Sequence, residues 1–165
     1  MTTASVPSVH TGAVTKESVQ QLLAKYSSTY DSSDPAYFGL FAHDATFFVL
    51  SSPTRVDSRE EFQRMFSLPK GTARRSQLLS PEIRLLGDAA LVSLHCHVVV
   101  DGVQQYTRET LVVTKDAHGE LRISHLHISP QDMPGAPESP AKGAEEISVL
   151  EERTATAAAT VGTPK

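Results

Sequence analysis

Beyond Pro69 the chain carries four consecutive apolar-rich segments separated only by short turn signals, and this pattern restricts the fold more than any other feature. The segments span 77–86, 89–100, 103–114 and 120–129. Gly87-Asp88 marks the first turn, Asp101-Gly102 has the composition of a two-residue hairpin loop, and 116–119 forms the third. Strands joined this closely pair antiparallel, because a parallel partner needs a crossover of a dozen residues or more.

Three helical signals precede the meander. From Thr15, apolar residues fall at Val19, Leu22, Leu23, Tyr26 and Tyr30, the spacing of one helix face. Asp34-Pro35 supplies a cap and a first-turn proline for a short helix carrying Phe38, Leu40 and Phe41. Ser58 and Glu61 form a capping box for a third helix with Phe62, Met65 and Phe66, and 46–50 reads as a strand between the two. Helices followed by a meander predict an α+β fold, with helices on one face of a curved antiparallel sheet.

Composition sets the limits of this body. Residues 131–165 hold six of the acids against three bases, four prolines and no aromatic residue, which predicts an acidic, Pro/Ala-rich mobile tail. Residues 1–12 read as a flexible start, leaving 13–130 as the folded domain. A net charge of -4 gives no basic footprint for nucleic acid. No apolar run approaches the roughly 20 residues of a membrane helix, and the N-terminus does not resemble a secretion signal, so a cytoplasmic protein without a membrane partner is expected. Phosphate loops, nucleophile elbows and dinucleotide fingerprints are absent from the sequence, so no cofactor is expected.

Hairpin register assigns the faces. A two-residue Asp101-Gly102 loop pairs Val100 with Val103, which places His97 opposite Tyr106 and His95 opposite Arg108. A four-residue loop at 116–119 then places Arg108 opposite His127, Thr110 opposite His125, Tyr106 opposite Ser129 and Glu109 opposite Leu126. One face collects His95, His97, Tyr106, Arg108, Thr110, His125, His127 and Ser129. The other is mainly aliphatic and belongs under the helices. Glu109 is its odd member, a carboxyl that burial would hold partly protonated, as acid–base catalysis near neutrality requires. An ion pair with Arg122 is the competing use of Glu109. The two His-x-His pairs have the ligand type for zinc, but Arg108 among them opposes a divalent cation. No metal is expected; the polar face, flanked by Leu91, Val112, Leu121 and Ile123, is expected to join two copies of the chain as a homodimer.

The run LFAHDATFFV at 40–49, Ser58-Arg-Glu-Glu-Phe62, Gly87-Asp88-Ala89-Ala90, Arg-Glu-Thr-Leu-Val-Val at 108–113 and His-Leu-His-Ile-Ser at 125–129 resemble the nuclear transport factor 2-like superfamily. The SnoaL-like proteins and the association domain of calmodulin-dependent kinase are the most similar branches. The resemblance covers 13–130 and implies a cone, a cystatin-like α+β roll whose curved sheet wraps the N-terminal helices around a pocket. It implies isomerases, polyketide cyclases, dehydratases and iota carbonic anhydrases as relatives, beside binding modules without catalysis. Tyr26, eight residues before Asp34, matches the helix tyrosine that resembles the oxyanion donor of ketosteroid isomerases. Their catalytic aspartate falls on Val49, which argues against that mechanism. Where many SnoaL-like relatives carry an acid between the paired histidines, this chain has Leu126, so Glu109 on the neighbouring strand is the replacement carboxyl.

The expectation is therefore a cofactor-free pocket protein performing acid–base isomerisation, cyclisation or dehydration. Glu109 would move the proton and Tyr26 would donate to the oxyanion, with Cys96, Thr107, Ser124, Leu126, Ile128 and Tyr30 lining the pocket. The partner would be a small, largely apolar molecule with a carbonyl or hydroxyl group. A non-catalytic ligand-binding or oligomerisation module is the alternative. An iota-type carbonic anhydrase is a further one, weakened because His-Leu-His-Ile-Ser departs from that family's His-His-His-Ser-Ser run.

Overall fold

A computed structural model of the chain describes residues 13–131; the expected flexible start at 1–12 and all but the first residue of the expected tail lie outside them. The elements run α1 (Lys16–Asp31), α2 (Ala36–Gly39), β1 (Phe41–Phe48), α3 (Arg59–Met65), β2 (Arg74–Leu86), β3 (Ala89–Val100), β4 (Val103–Lys115) and β5 (Leu121–Pro130).

The helix starts follow from their caps. Thr15 accepts a hydrogen bond from the Ser18 N–H at 3.1 Å while its own N–H donates to Ser18 Oγ at 3.0 Å, a reciprocal box at the head of α1. Ser58 Oγ accepts from the Glu61 N–H at 3.1 Å, but the expected return bond is displaced: Glu61 Oε2 accepts from Asp57 N–H instead. Asp34 Oδ1 accepts from Ala36 N–H at 2.8 Å, and α2 ends earlier than expected. Phe41 therefore opens β1, whose first half was missed because Phe38, Leu40 and Phe41 fit either period.

The sheet corrects the expected cone. Its order is β1-β5-β4-β3-β2, and β1 runs parallel to β5 while the other pairs are antiparallel. It is thus a mixed, open sheet with β1 and β2 as its edges, neither closed nor strongly curled. Chain order permits this parallel edge, because α3 and three strands between β1 and β5 give far more than the dozen residues a parallel connection needs.

Hairpin register carries one confirmation and one revision. Asp101 and Gly102 adopt φ of 49° and 82°, the left-handed pair that a two-residue loop requires, and Val100 faces Val103. The β4–β5 connection is longer than expected, since Asp116 closes it against Glu120 and Lys115 faces Leu121. A second displacement occurs at Ser124, where Val113 faces Ile123 but Val112 faces His125. Together these shift the pairing by two residues, so Arg108 lies opposite Ser129, Thr110 opposite His127 and Glu109 opposite Ile128. Two single shifts restore the original parity beyond the bulge. Before the bulge parity is reversed: Ile123, expected on the outer face, is fully buried. A further bulge sets Ser80 and Pro81 of edge strand β2 opposite Leu94, with Ser80 at φ 48°.

The core lies between the helices and one sheet face. Val19, Leu22, Leu23 and Tyr26 of α1 join Val92, Leu94, Cys96, Leu111, Val113 and Leu126 of the sheet. An aromatic group packs beside them: Phe47 stacks on Phe62 at 4.3 Å between ring centroids, and Phe62 stacks on Phe66 at 5.2 Å. Phe62 is 2% exposed and touches rings from α2, β1 and its own helix. Replacing it with alanine should cost about 3–5 kcal/mol, read as a lower midpoint in urea unfolding with an unchanged slope.

Candidate functional site

A cavity of about 260 Å³ opens between α1, α2, α3 and the meander. Alternation along β3 and β4 aims Cys96, Thr107 and Glu109 toward it, while α1 contributes Tyr26 and Tyr30. Residues from α2 and α3 supply Tyr37, Phe62 and Phe66. Val49, Leu50 and Ser51 after β1, with Ser76, Val98, Gln105 and Ile128, complete the lining.

Glu109 is 5% exposed and receives donors from two directions. Tyr26 O–H donates to Oε2 at 3.1 Å, and Thr107 Oγ1 donates to Oε1 at 3.2 Å. The Cys96 thiol adjoins the carboxyl and favours its charged form. Burial raises the Glu109 pKa above the usual carboxylate range, and the three donors only partly offset that penalty. Burial likewise pushes the Tyr26, Tyr37 and Cys96 groups up, with the Glu109 charge adding to each, so all three keep their protons. The Tyr37 hydroxyl interacts with that of Tyr26, which extends the polar chain from β4 through α1 to α2.

The sequence-derived lining is only partly brought together. Tyr26, Tyr30, Cys96, Thr107, Glu109 and Ile128 share the cavity. Leu126 is fully buried in the core instead, and Ser124, at the bulge, turns its hydroxyl to the Val112 carbonyl at 3.2 Å. Arg122 does not pair with Glu109; it binds Asp116, Glu120 and the Gly39 carbonyl. Among the lining residues missed were Tyr37, Phe62, Phe66 and Gln105. The α3 aromatics followed a helical stripe that reads as core, and Tyr37 sat outside the apolar set assigned to α2.

The opposite face of the sheet carries the histidines. His97 stacks on Tyr106 at 4.4 Å and contacts Gln77 and Gln104. His125 bonds Thr46 Oγ1 at 2.8 Å, and Phe48, 44% exposed, packs beside His125 and His127. Arg108 donates to the Pro130 carbonyl at 2.9 Å, next to its pairing partner Ser129, while His95 is exposed. With Ile123 withdrawn into the core and Leu121 packed against it, Leu91 and Val112 remain of the expected apolar flank. Among the described residues no group of three or more His, Cys, Asp or Glu side chains is placed to hold a metal ion. None of their helices is long and apolar enough to cross a membrane.

Glu109 makes stability pH-dependent in a definite direction. The folded chain holds this proton more tightly than the unfolded one, whose carboxyl titrates near pH 4.3. Its contribution is complete below that value and is lost as pH rises through the raised folded pKa. Glu109→Gln removes the loss, so the stability difference, variant minus parent, should grow with pH across that window by at most about 1.4 kcal/mol per unit. Urea unfolding of both proteins from pH 4 to 8 measures it; a pH-independent difference would contradict the burial assignment.

The SnoaL-like domain matches residues 19–133. Solved structures with the same fold include a nuclear transport factor 2-like protein from Salmonella enterica serovar Typhimurium (22% identity, TM-score 0.64, covering 75% of this chain and 96% of that one). The CaMKII hub of S. rosetta matches at 23% identity and TM-score 0.60, over 72% and 98% of the two chains. ActVI-ORFA from Streptomyces coelicolor matches at 18% and 0.58, over 70% and 96%. No curated protein matches the chain.

Proposed function

We propose that this chain, which belongs to the SnoaL-like domain family, binds a small molecule in the cavity and moves a proton on it through Glu109. The observation that carries the proposal is the Tyr26–Glu109 hydrogen bond inside a cavity of mainly aromatic and aliphatic lining. A buried carboxyl with a raised pKa is matched to proton transfer near neutrality.

The chemistry is abstraction of a proton from carbon next to a carbonyl. The C–H bond breaks and its electron pair forms a C=C bond as the carbonyl π pair moves onto oxygen, and ionised Glu109 takes the proton. A neutral carboxyl holds the Tyr26 hydroxyl less strongly than a carboxylate does. Tyr26 is then released to donate to the new oxyanion as the charge moves from Glu109 to the ligand. Returning the proton to another carbon completes an isomerisation; giving it to a β-hydroxyl, which leaves as water while the enolate collapses to an enone, completes a dehydration. The competing reading, a ligand-binding module without catalysis, is favoured by the fact that Tyr26 and Glu109 already satisfy each other.

Cyclohexanone and 1-tetralone incubated with the protein in D₂O distinguish these readings. Deuterium should enter the carbon beside the carbonyl above the buffer rate, and Glu109→Gln should lower the protein-dependent rate by at least about a hundredfold. Tyr26→Phe should reduce it less. Binding of the ketones by NMR titration without exchange removes the catalytic reading and leaves the module.

The outer sheet face, with its histidines, Tyr106 and Arg108, is assigned in the same proposal to a second copy of the chain. Sedimentation equilibrium at micromolar concentration should give the dimer mass; the monomer mass would remove this part of the proposal.

A further inference from the structure

The cavity has an unbalanced electrical inventory. Among the described residues, five rings line it, from Tyr26, Tyr30, Tyr37, Phe62 and Phe66, together with the Glu109 carboxyl, and no lysine, arginine or histidine does. Around that carboxyl stand the Tyr26 hydroxyl at 3.1 Å, the Thr107 hydroxyl at 3.2 Å and the Cys96 thiol. Hydroxyls and thiols both donate and accept, so they serve the carboxyl in either protonation state but carry no charge of their own. When Glu109 is ionised, as its role as a base requires, it meets no counter-charge among the described lining residues.

Two arginines close to the lining do not supply it. Arg74 lies over the Tyr30 ring at 5.7 Å and donates to Ser33 Oγ and the Pro69 carbonyl, outside the lining. Arg122 is committed to Asp116 and Glu120. Aromatic faces attract cations through their quadrupoles, most strongly where water is excluded, and rings combined with a carboxylate favour an ammonium over a neutral or anionic group.

We infer that the ligand of this cavity carries a positively charged nitrogen, an organic ammonium held by the Glu109 carboxylate and the surrounding rings. This deepens the proposal above and rests on it only in taking the cavity as the ligand site. The charge balances the ionised Glu109, and an adjacent carbonyl or hydroxyl remains available to the proton chemistry. Anionic ligands are excluded, because they would meet a buried carboxyl with no cation to offset it.

A matched set of probes isolates the charge from shape. Choline and 3,3-dimethylbutan-1-ol differ by a nitrogen cation in place of a carbon atom, and 3,3-dimethylbutanoate carries the opposite charge on the same branched end. Calorimetric titration of the full chain should show choline binding at least tenfold more tightly than the alcohol, with the butanoate weakest. Glu109→Gln should abolish most of the preference. Phe66→Leu, which keeps an apolar wall but removes one ring, should weaken choline more than the alcohol. Equal or tighter binding of the alcohol, or a choline preference that survives Glu109→Gln, overturns the inference. Absence of choline binding alongside ketone exchange overturns this inference alone; absence of both removes the acid–base proposal as well.

Discussion

A hydroxyl on α1 and a carboxyl on β4, 83 residues apart in the chain, meet in the interior at 3.1 Å. The contact fixes how the first helix lies on the sheet, because an unmatched carboxyl at that depth would be costly. It also determines what the cavity offers a ligand. Without Tyr26, Glu109 would depend on Thr107 and Cys96 alone; without Glu109, Tyr26 and Tyr37 would be two buried hydroxyls with only each other. Packing and chemistry thus share one bond, and the aromatic layer from Phe47 to Phe66 shields one side of the same space.

The strands of the meander were legible in the sequence because turn chemistry and alternation agree there. Asp101-Gly102 specified both the loop conformation and the pairing of β3 with β4, since left-handed backbone at two successive positions restricts the residues that fit. The β4–β5 register was not legible. A longer loop and a bulge at Ser124 each shift the pairing by one residue, and a serine in an apolar strand does not announce a bulge. The faces of Leu126, Ile128, His125 and His127 came out as expected only because the two shifts sum to an even number. Ile123 and Ser124, caught between them, exchanged roles: one entered the core and the other left the expected lining.

For the site, Cys96, Thr107, Glu109 and Ile128 followed from parity and Tyr26 and Tyr30 from the face of α1, whereas the residues brought by the two short helices did not. Cys96, Thr107 and Glu109 are located by counting along β3 and β4, since strand geometry determines direction. Tyr37, Phe62 and Phe66 reach the cavity through the placement of two short helices, which local sequence does not encode. The cone failed for a related reason. Strand content predicts a sheet, but its curvature and the parallel attachment of β1 depend on contacts between distant segments.

The irregularity at Ser80 and Pro81 has a consequence for how the protein behaves in a crowd of its own copies. β2 is a border strand thirteen residues long, and an uninterrupted border of that length would present a continuous row of backbone donors and acceptors to any passing chain. Proline removes one donor from the row, and the extra residue kinks the strand near its middle. The border is divided into paired runs of six and five residues, so a passing chain meets two short registers in place of one long one. The interruption therefore gives the open sheet a safeguard against aggregation that a closed barrel obtains from its topology.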